Sequence, residues 1–218
     1  MNDPILLFIN TSGPYGQLML MQGTRLLAWR KSDDIRAAAE RLFDFIEEVF
    51  LESGLQPEQL SAIAVLNGPG SYTGLRISLS TAKGLAYTFQ VPMILLNKLH
   101  LLNEIAGRMG PLPFYTLVPA RTNEYFYAYV EEATLGWQAE TCWIQADALQ
   151  ELCLQKPGIL YSDKLVPEFG HSVRVLEPSW QDYQQLILKH LEQKQFADLF
   201  HAEPYYLKKV FINKINKL

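Results

Sequence analysis

Apolar runs and amphipathic stretches follow one another along this chain in a regular order. Ile5 to Ile9 is continuously apolar and of strand length, the pattern of a strand buried on both faces. After a turn over Thr11–Gly16, Gln17 to Met21 and Thr24 to Trp29 read as two more strands joined by a tight turn at Gln22–Gly23. From Ile35 towards Glu52, Ala38, Leu42, Phe45, Ile46, Val49 and Phe50 recur at helical spacing, with Asp33 or Asp34 as the cap and Gly54 as the stop. Leu60 to Leu66 is a fourth strand, Leu75 to Phe89 a helix, Pro92 to Leu96 a fifth strand and Lys98 to Arg108 a third helix. The order β-β-β-α-β-α-β-α predicts an α/β fold, a mixed sheet covered by helices.

Gly110-Pro111-Leu112-Pro113 breaks any regular element and sets an expected boundary, with one lobe over residues 1–109 and a second over 110–218. The second lobe opens on strands again, at Phe114–Val118, the aromatic-rich Glu124–Val130 and Glu140–Ile144. A helix over Ala146–Leu154, a strand over Ile159–Ser162 and a helix over Tyr183–Gln193 complete a weaker echo of the first lobe. The aromatic run Tyr125, Phe126, Tyr127 and Tyr129 serves either sheet packing or base stacking, and its β alternation favours packing.

The joint between the fourth strand and its helix is the least accidental stretch. Asn67-Gly68-Pro69-Gly70-Ser71-Tyr72-Thr73-Gly74-Leu75-Arg76 places three glycines within seven residues ahead of a helix. Such a joint is either a cradle for an anion on the unpaired first-turn amides or a compact turn. It is not a Walker loop, because Leu75 stands where lysine is required, and not a nucleophile elbow, because Pro69 and Thr73 flank Ser71 in place of glycines. The helix that follows is unusual. Ile77, Thr81, Gly84 and Thr88 give one face almost without bulk, while Leu75, Leu79, Ala82 and Ala86 give another that is apolar. A mid-helix glycine costs about 1 kcal/mol against alanine, so Gly84 is expected to lie under something packed closely over it, the sheet or a second helix.

Composition narrows the classes. With 218 residues, 49% hydrophobic and 19% charged, the chain can bury its own core. A net charge of -4 denies it the overall electropositive footprint of an autonomous nucleic-acid binder, so any such contact requires a local patch or a partner. The lysine-bearing tail Lys208–Lys217 is a candidate patch or a solvated terminus. Cys142 and Cys153 form no metal-ligand spacing and suit a reducing compartment. No stretch has the ~20 apolar residues of a membrane span and no basic segment precedes an apolar leader, so a cytoplasmic protein without membrane contact is expected.

The run Gly68-Pro69-Gly70-Ser71-Tyr72-Thr73-Gly74-Leu75-Arg76-Ile77 resembles the signature of the TsaB (YeaZ) family, bacterial subunits of the machinery that makes threonylcarbamoyladenosine next to the tRNA anticodon. Ile5–Ser12, Ala120-Arg121-Thr122-Asn123-Glu124 and His201–Lys208 support it. The resemblance implies a duplicated actin-like (ASKHA) fold of ribonuclease H type, which the pattern alone does not separate from a single ribonuclease H-like domain. It implies a catalytically degenerate scaffold that pairs with the transferase subunit TsaD, is joined by the ATPase TsaE, forms homodimers when alone and meets tRNA through the complex. The partner face expected on that basis comprises Leu42 and Phe45 of the first helix with Leu75, Arg76, Ile77, Leu79, Ser80, Thr81, Lys83 and Gly84 of the second. Arg76 and Lys83 read equally as solvated charges flanking a core helix. Arg121 matches the family's arginine.

The residues also show missing chemistry. Asn10 and Pro119 stand where the family generally carries aspartate, and an amide is a poor ligand for a hard cation. Thr11, Ser12, Gly68 and Gly70 remain as cofactor candidates; no cofactor is assigned to the chain itself, and ATP is expected at the level of the complex. His100, His171, His190 and His201 include no His-x-x-x-His pair of the kind TsaD uses for its metal. Two other classes stay open, an actin-like ATPase or phosphotransferase and a glycoprotease-like peptidase.

Overall fold

The computed structural model describes residues 3–13, 15–133 and 139–207; the lysine tail lies outside them. A first sheet is built from β1 (Ile5–Asn10), β2 (Gly16–Gln22), β3 (Arg25–Ser32), β4 (Ala62–Gly68) and β5 (Met93–Asn97), in the order β3-β2-β1-β4-β5. The β1–β2–β3 meander is antiparallel and β4 and β5 add in parallel. The second sheet repeats this with β6 (Phe114–Pro119), β7 (Glu124–Val130), β8 (Thr141–Gln145), β9 (Ile159–Ser162) and β10 (Val173–Val175), in the order β10-β9-β6-β7-β8. Each strand of the second sheet takes the place of its counterpart in the first. The same topology twice is the duplication that the resemblance implies.

The helices form layers around the sheets. In the first lobe α1 (Ile35–Glu40), α2 (Leu42–Ser53) and α3 (Tyr72–Phe89) cover one face, and α2 and α3 bury Ile46, Val49, Leu79, Ala82 and Ala86 against Leu7, Ile9, Ile63 and Val65. Between the sheets lie α4 (Lys98–Met109) and α6 (Trp180–Glu192), with Leu102, Tyr183 and Ile187 packed among Phe8 and Leu96 of one sheet and Phe114 and Val118 of the other. On the outer face of the second sheet, α5 (Ala146–Gln155) presses Leu149 against Tyr115, Leu117 and Leu160. Tyr125 is buried in that outer core, where Tyr127 and Tyr129 pack, and Phe126 packs on the opposite side, so the aromatic run is sheet packing. After α6 the chain returns to the first lobe: the Ala197 amide donates to the Met93 carbonyl at 2.8 Å and the Tyr205 amide to that of Asn67 at 2.7 Å.

Where the fold departs from the sequence pattern, the causes are local. The helix expected over Ile35–Glu52 is two, broken at Arg41. Asp34 caps the first, accepting from the Arg36 and Ala37 amides, and Ala38 lies so close over Gly16 that a Cβ there would fall 2.2 Å from its own. Gly54 ends α2 at φ 69, a left-handed value that glycine adopts without strain. Helix α3 begins at Tyr72, three residues before the expected Leu75, because Ser71 caps it by accepting from the Gly74 amide. The three-residue strand β10 is too short to show a period.

Two glycines of α3 have opposite environments. At Gly74 a Cβ would sit 1.9 Å from the Thr11 carbonyl oxygen, so only glycine lets the first helical turn rest on the end of β1. At Gly84 no atom of the described residues beyond its own helix turn lies within 4 Å of the Cβ position, which corrects, among those residues, the expectation of close packing over it. The buried side of α3 is Leu75, Ser78, Leu79, Ala82 and Ala86, and Arg76, Ser80 and Gly84 face outward. Leu42 and Phe45 point into the core, while Phe43 and Leu51 of α2 are 67% and 74% exposed. Leu42, Phe45, Leu75 and Leu79 are therefore not surface in this chain, and Ile77, Thr81 and Lys83 are partly so.

The lobes are also joined by charge. Lys98, the first residue of α4, is ion-paired with Asp163, which follows β9, and their side chains are 6% and 4% exposed. A cation in the first turn of a helix opposes the helix dipole, and the carboxylate from the other lobe offsets this.

Replacing Gly74 with alanine is expected to cost at least about 3 kcal/mol, lowering the thermal midpoint by roughly 6–12 °C, whereas Gly84→Ala raises it by about 2–4 °C. Calorimetry of the two variants checks the contrast; equal behaviour would contradict the seating of α3. For the inter-lobe pair, Lys98→Met leaves a buried carboxylate unpaired and is expected to cost about 3–5 kcal/mol in urea unfolding, most of it recovered in the double variant with Asp163→Leu.

Candidate functional site

The two lobes enclose a cleft of about 910 Å³ whose walls come from distant parts of the sequence. Ser12 and Gly13 follow β1; Pro69 to Thr73 are the joint and first turn of α3; Pro119 ends β6 and Ala120 and Arg121 follow it; Tyr205, Tyr206 and Leu207 come from the returning segment. The four stretches that carry the family resemblance meet here. In an α/β sheet the carboxyl ends of adjacent parallel strands diverge into separate loops, and the crevice between those loops is where ligands settle.

The glycines of the joint are accounted for by packing. A Cβ on Gly70 would lie 2.7 Å from the Ser12 carbonyl oxygen, and one on Gly68 2.8 Å from that of Tyr205. Gly68 also has φ 134, and its bond to Pro69 is cis. The Ser71 amide donates to the Ser12 carbonyl at 3.0 Å, and the Thr11 hydroxyl donates to the Gly74 carbonyl at 2.7 Å. The joint is thus a clamp between the end of β1 and the start of α3, with Ser71, Tyr72 and Thr73 at the cleft wall. Of the cofactor candidates, Ser12 and Gly70 line the cleft, and Thr11 is buried beneath.

Asn10, in the position of the family's aspartate, is 2% exposed and its side-chain oxygen accepts from the Ser12 amide and hydroxyl, both at 2.9 Å. Its amide oxygen thereby holds the turn after β1 in shape. At the cleft wall Asp163 is engaged by Lys98, so its charge is met by an ammonium supplied from the chain. Among the described residues no three His, Cys, Asp or Glu side chains converge to hold a metal ion. Nearby, burial and the carboxylates of Glu177 and Asp163 push the Tyr15 hydroxyl up in pKa.

The rim is aromatic and cationic. Tyr72 and Tyr206 stack with ring centroids 5.1 Å apart at 27°. The Arg76 guanidinium donates to the Tyr72 hydroxyl at 2.6 Å, which holds the arginine pKa above its ordinary value. Partial burial and the Tyr72 hydroxyl raise that of Tyr206. The Tyr205 hydroxyl lies 2.8 Å from that of Thr141 on β8, so this residue spans from Asn67 in the first lobe to the second sheet. Arg121 belongs to the β6–β7 turn, where its carbonyl accepts from the Glu124 amide at 3.0 Å.

Sequence reasoning placed the loop, the β1 turn and Arg121 as separate landmarks and did not find Lys98, Asp163, Tyr205 or Tyr206 as parts of one cleft. Lys98 alone left a signal, a cation at the first position of a helix. Cys142 and Cys153 have thiols pushed up by burial, which keeps them protonated.

Comparison with known proteins bears on this arrangement. Residues 33–199 match the family model described as TsaD: tRNA N6-adenosine threonylcarbamoyltransferase. The tRNA threonylcarbamoyladenosine biosynthesis protein TsaB of Escherichia coli is 25% identical over 188 residues, 79% of this chain and 81% of that one. The tRNA N6-adenosine threonylcarbamoyltransferase of Enterococcus faecalis is 40% identical over 81 residues, 36% of this chain but 23% of that one. The solved structure of YeaZ from Pseudomonas aeruginosa superposes with a TM-score of 0.72 at 20% identity, covering 94% of this chain and all of that one, a likeness of fold. The duplicated actin-like fold, the four converging motifs and a family model covering most of the sequence agree, and the chain belongs to the TsaD family of that model, among its TsaB (YeaZ) members.

Proposed function

We propose that this chain is a dimerising and activating scaffold in tRNA threonylcarbamoyladenosine biosynthesis, without catalysis of its own, pairing with a TsaD-like transferase subunit. The observation that carries the reading is the outward face of α3. Ser80 and Gly84 leave it flat, no described residue fills the space over Gly84, Tyr87 is 62% exposed, and Phe200, whose carbonyl accepts from Lys83 at 3.5 Å, is 81% exposed. Large aromatics beside a face of small residues favour close approach of a second helix and desolvated anchoring at its edge. Arg76, Ile77, Thr81 and Lys83 border this face, and Phe43 and Leu51 on α2 add apolar surface to the same outer layer.

Because partner and chain share a fold, the same face serves a homodimer and a pseudo-symmetric heterodimer, the two competing. A TsaE-like ATPase would join the pair, with ATP bound at the level of the complex and tRNA engaged there. The non-catalytic part is supported by Asn10 and Pro119 at the two hairpin positions and by the pairing of Asp163 with Lys98. An ATPase or phosphotransferase reading draws on the cleft itself; saturable ATP binding and turnover by the purified chain would favour it.

Sedimentation of the chain alone and mixed with its cognate transferase tests the scaffold. Wild type is expected to self-associate and exchange into a heterodimer, and Gly84→Leu to stay folded and monomeric in both settings, since leucine fits the empty space and is the better helix former by about 0.8 kcal/mol. Indifference of the wild type to the transferase overturns the function, and normal pairing by the variant moves the surface elsewhere.

A further inference from the structure

Among the described residues, the cleft and its rim carry cations with no carboxylate paired to them. The chain is net negative, and its outer helices hold Glu40, Asp44, Glu47, Glu48 and Glu52. By contrast, Arg121 and Lys164 at the cleft wall are exposed, as is Arg76 beside it, held to the Tyr72 hydroxyl, and none of the three is paired with a carboxylate among the described residues. Of the acids around the cleft, two are engaged and Glu203 stays exposed on the returning segment. Asp163 is paired with Lys98, Glu124 accepts from the Trp143 indole at 3.3 Å, and Glu203 lies beside Tyr206.

Aromatic surface lies among these charges. Tyr72, Tyr205 and Tyr206 are 45%, 41% and 40% exposed, and the Tyr72–Tyr206 stack is stiffened by the Arg76 guanidinium, 5.4 Å from the Tyr72 ring centroid. Half-exposed tyrosines held by their neighbours at the mouth of a groove present ring surface at little cost in ordering. Sequence-tolerant single-strand binders combine the same two elements, cations along a groove to neutralise phosphates and aromatic rings on which bases stack.

We propose that this rim is a contact surface for single-stranded RNA, phosphates meeting Arg76, Arg121 and Lys164 and an unpaired base stacking on the Tyr72–Tyr206 pair. The inference rests on the reading that the chain serves tRNA modification, and it assigns RNA contact to this subunit as well as to the assembly. A duplex presents few base faces and an acidic protein segment none, so charge together with stacking selects a single strand over either.

The test is fluorescence anisotropy of the full chain, alone and bound to its cognate transferase, with a fluorescein-labelled single-stranded 12-nucleotide RNA. Three phosphate contacts predict a roughly twentyfold loss of affinity between about 50 and 200 mM salt. Arg121→Ala and Lys164→Ala are each expected to lower the slope of log affinity against log salt by about 0.7. Tyr206→Ala weakens binding at least about fivefold with the slope unchanged. Lys194→Ala, an exposed lysine away from the cleft, leaves both unchanged. Circular dichroism confirms that each variant is folded, and Tyr206→Leu replaces Tyr206→Ala if that one is not. The proposal is overturned by absence of binding in both settings, by variants that bind as wild type does, by equal affinity for the annealed duplex, or by equally effective competition from poly-glutamate, which would indicate an acidic protein segment. Sedimentation reads pairing with the transferase without RNA, so loss of RNA binding with pairing intact removes this inference and leaves the scaffold standing.

Discussion

The start of α3 lies directly on the end of β1, and most of what this protein presents to its surroundings follows from that contact. At Gly74 the approach leaves no room for a single carbon atom, and the Thr11 hydroxyl and the Gly74 carbonyl close the contact with a hydrogen bond. With the first turn fixed there, Leu79, Ala82 and Ala86 fall onto the sheet, and Ser71, Tyr72 and Thr73 fall at the cleft. Gly70 and Gly68 extend the same logic to Ser12 and Tyr205, so the β1 turn, the loop and the returning segment are held as one body. Interiors packed at this density give way to added volume only by moving backbone.

Duplication built the molecule, and its second copy has been cut down. Between β4 and β5 the first lobe carries the 18 residues of α3; between β9 and β10 the second carries a short 3₁₀ segment, Pro167–Ser172. No counterpart of the glycine clamp exists across the cleft among the described residues, and the second lobe offers instead the Arg121 turn and the carboxylate of Asp163. A buried ion pair gains little net stability over an apolar pair but costs a great deal when one partner is lost. Lys98 and Asp163 therefore act on the geometry more than on its energy, because other relative positions of the lobes would leave a buried charge unmet.

Much of the architecture is legible in the sequence because it is local. Continuous apolar runs mark strands covered on both faces, as at Ile5–Ile9 and Ala62–Leu66, and the stripe from Leu42 to Phe50 marks the buried side of α2. What fails is whatever depends on residues far apart in the chain. Lys98 and Asp163 are 65 positions apart, and neither sits in a pattern that names the other. Local spacing also gives a helix's faces without saying which is covered. The small face and the leucine face of α3 look alike on paper, and only the sheet's position assigns Leu75 and Leu79 to the core and Gly84 to the outside. The glycines show the converse, since an anion cradle and a tight backbone approach both ask for glycine.

One rigid element carries both surfaces proposed for this chain. The 18 residues of α3 span about 27 Å at 1.5 Å per residue, with Tyr72 and Arg76 at the cleft end and Ser80, Gly84 and Tyr87 along the outer side. A helix clamped at Gly74 and packed along its length does not bend to suit one surface without moving the other. A partner seated over Gly84, as proposed, would fix the orientation of the Tyr72–Tyr206 rim relative to itself, and RNA held at that rim would meet the partner in one geometry. Positioning of this kind would need no reactive group in the positioning chain. It is consistent with a chain that keeps the fold and the cleft of an actin-like protein while Asn10 and Pro119 occupy the positions where carboxylates would stand.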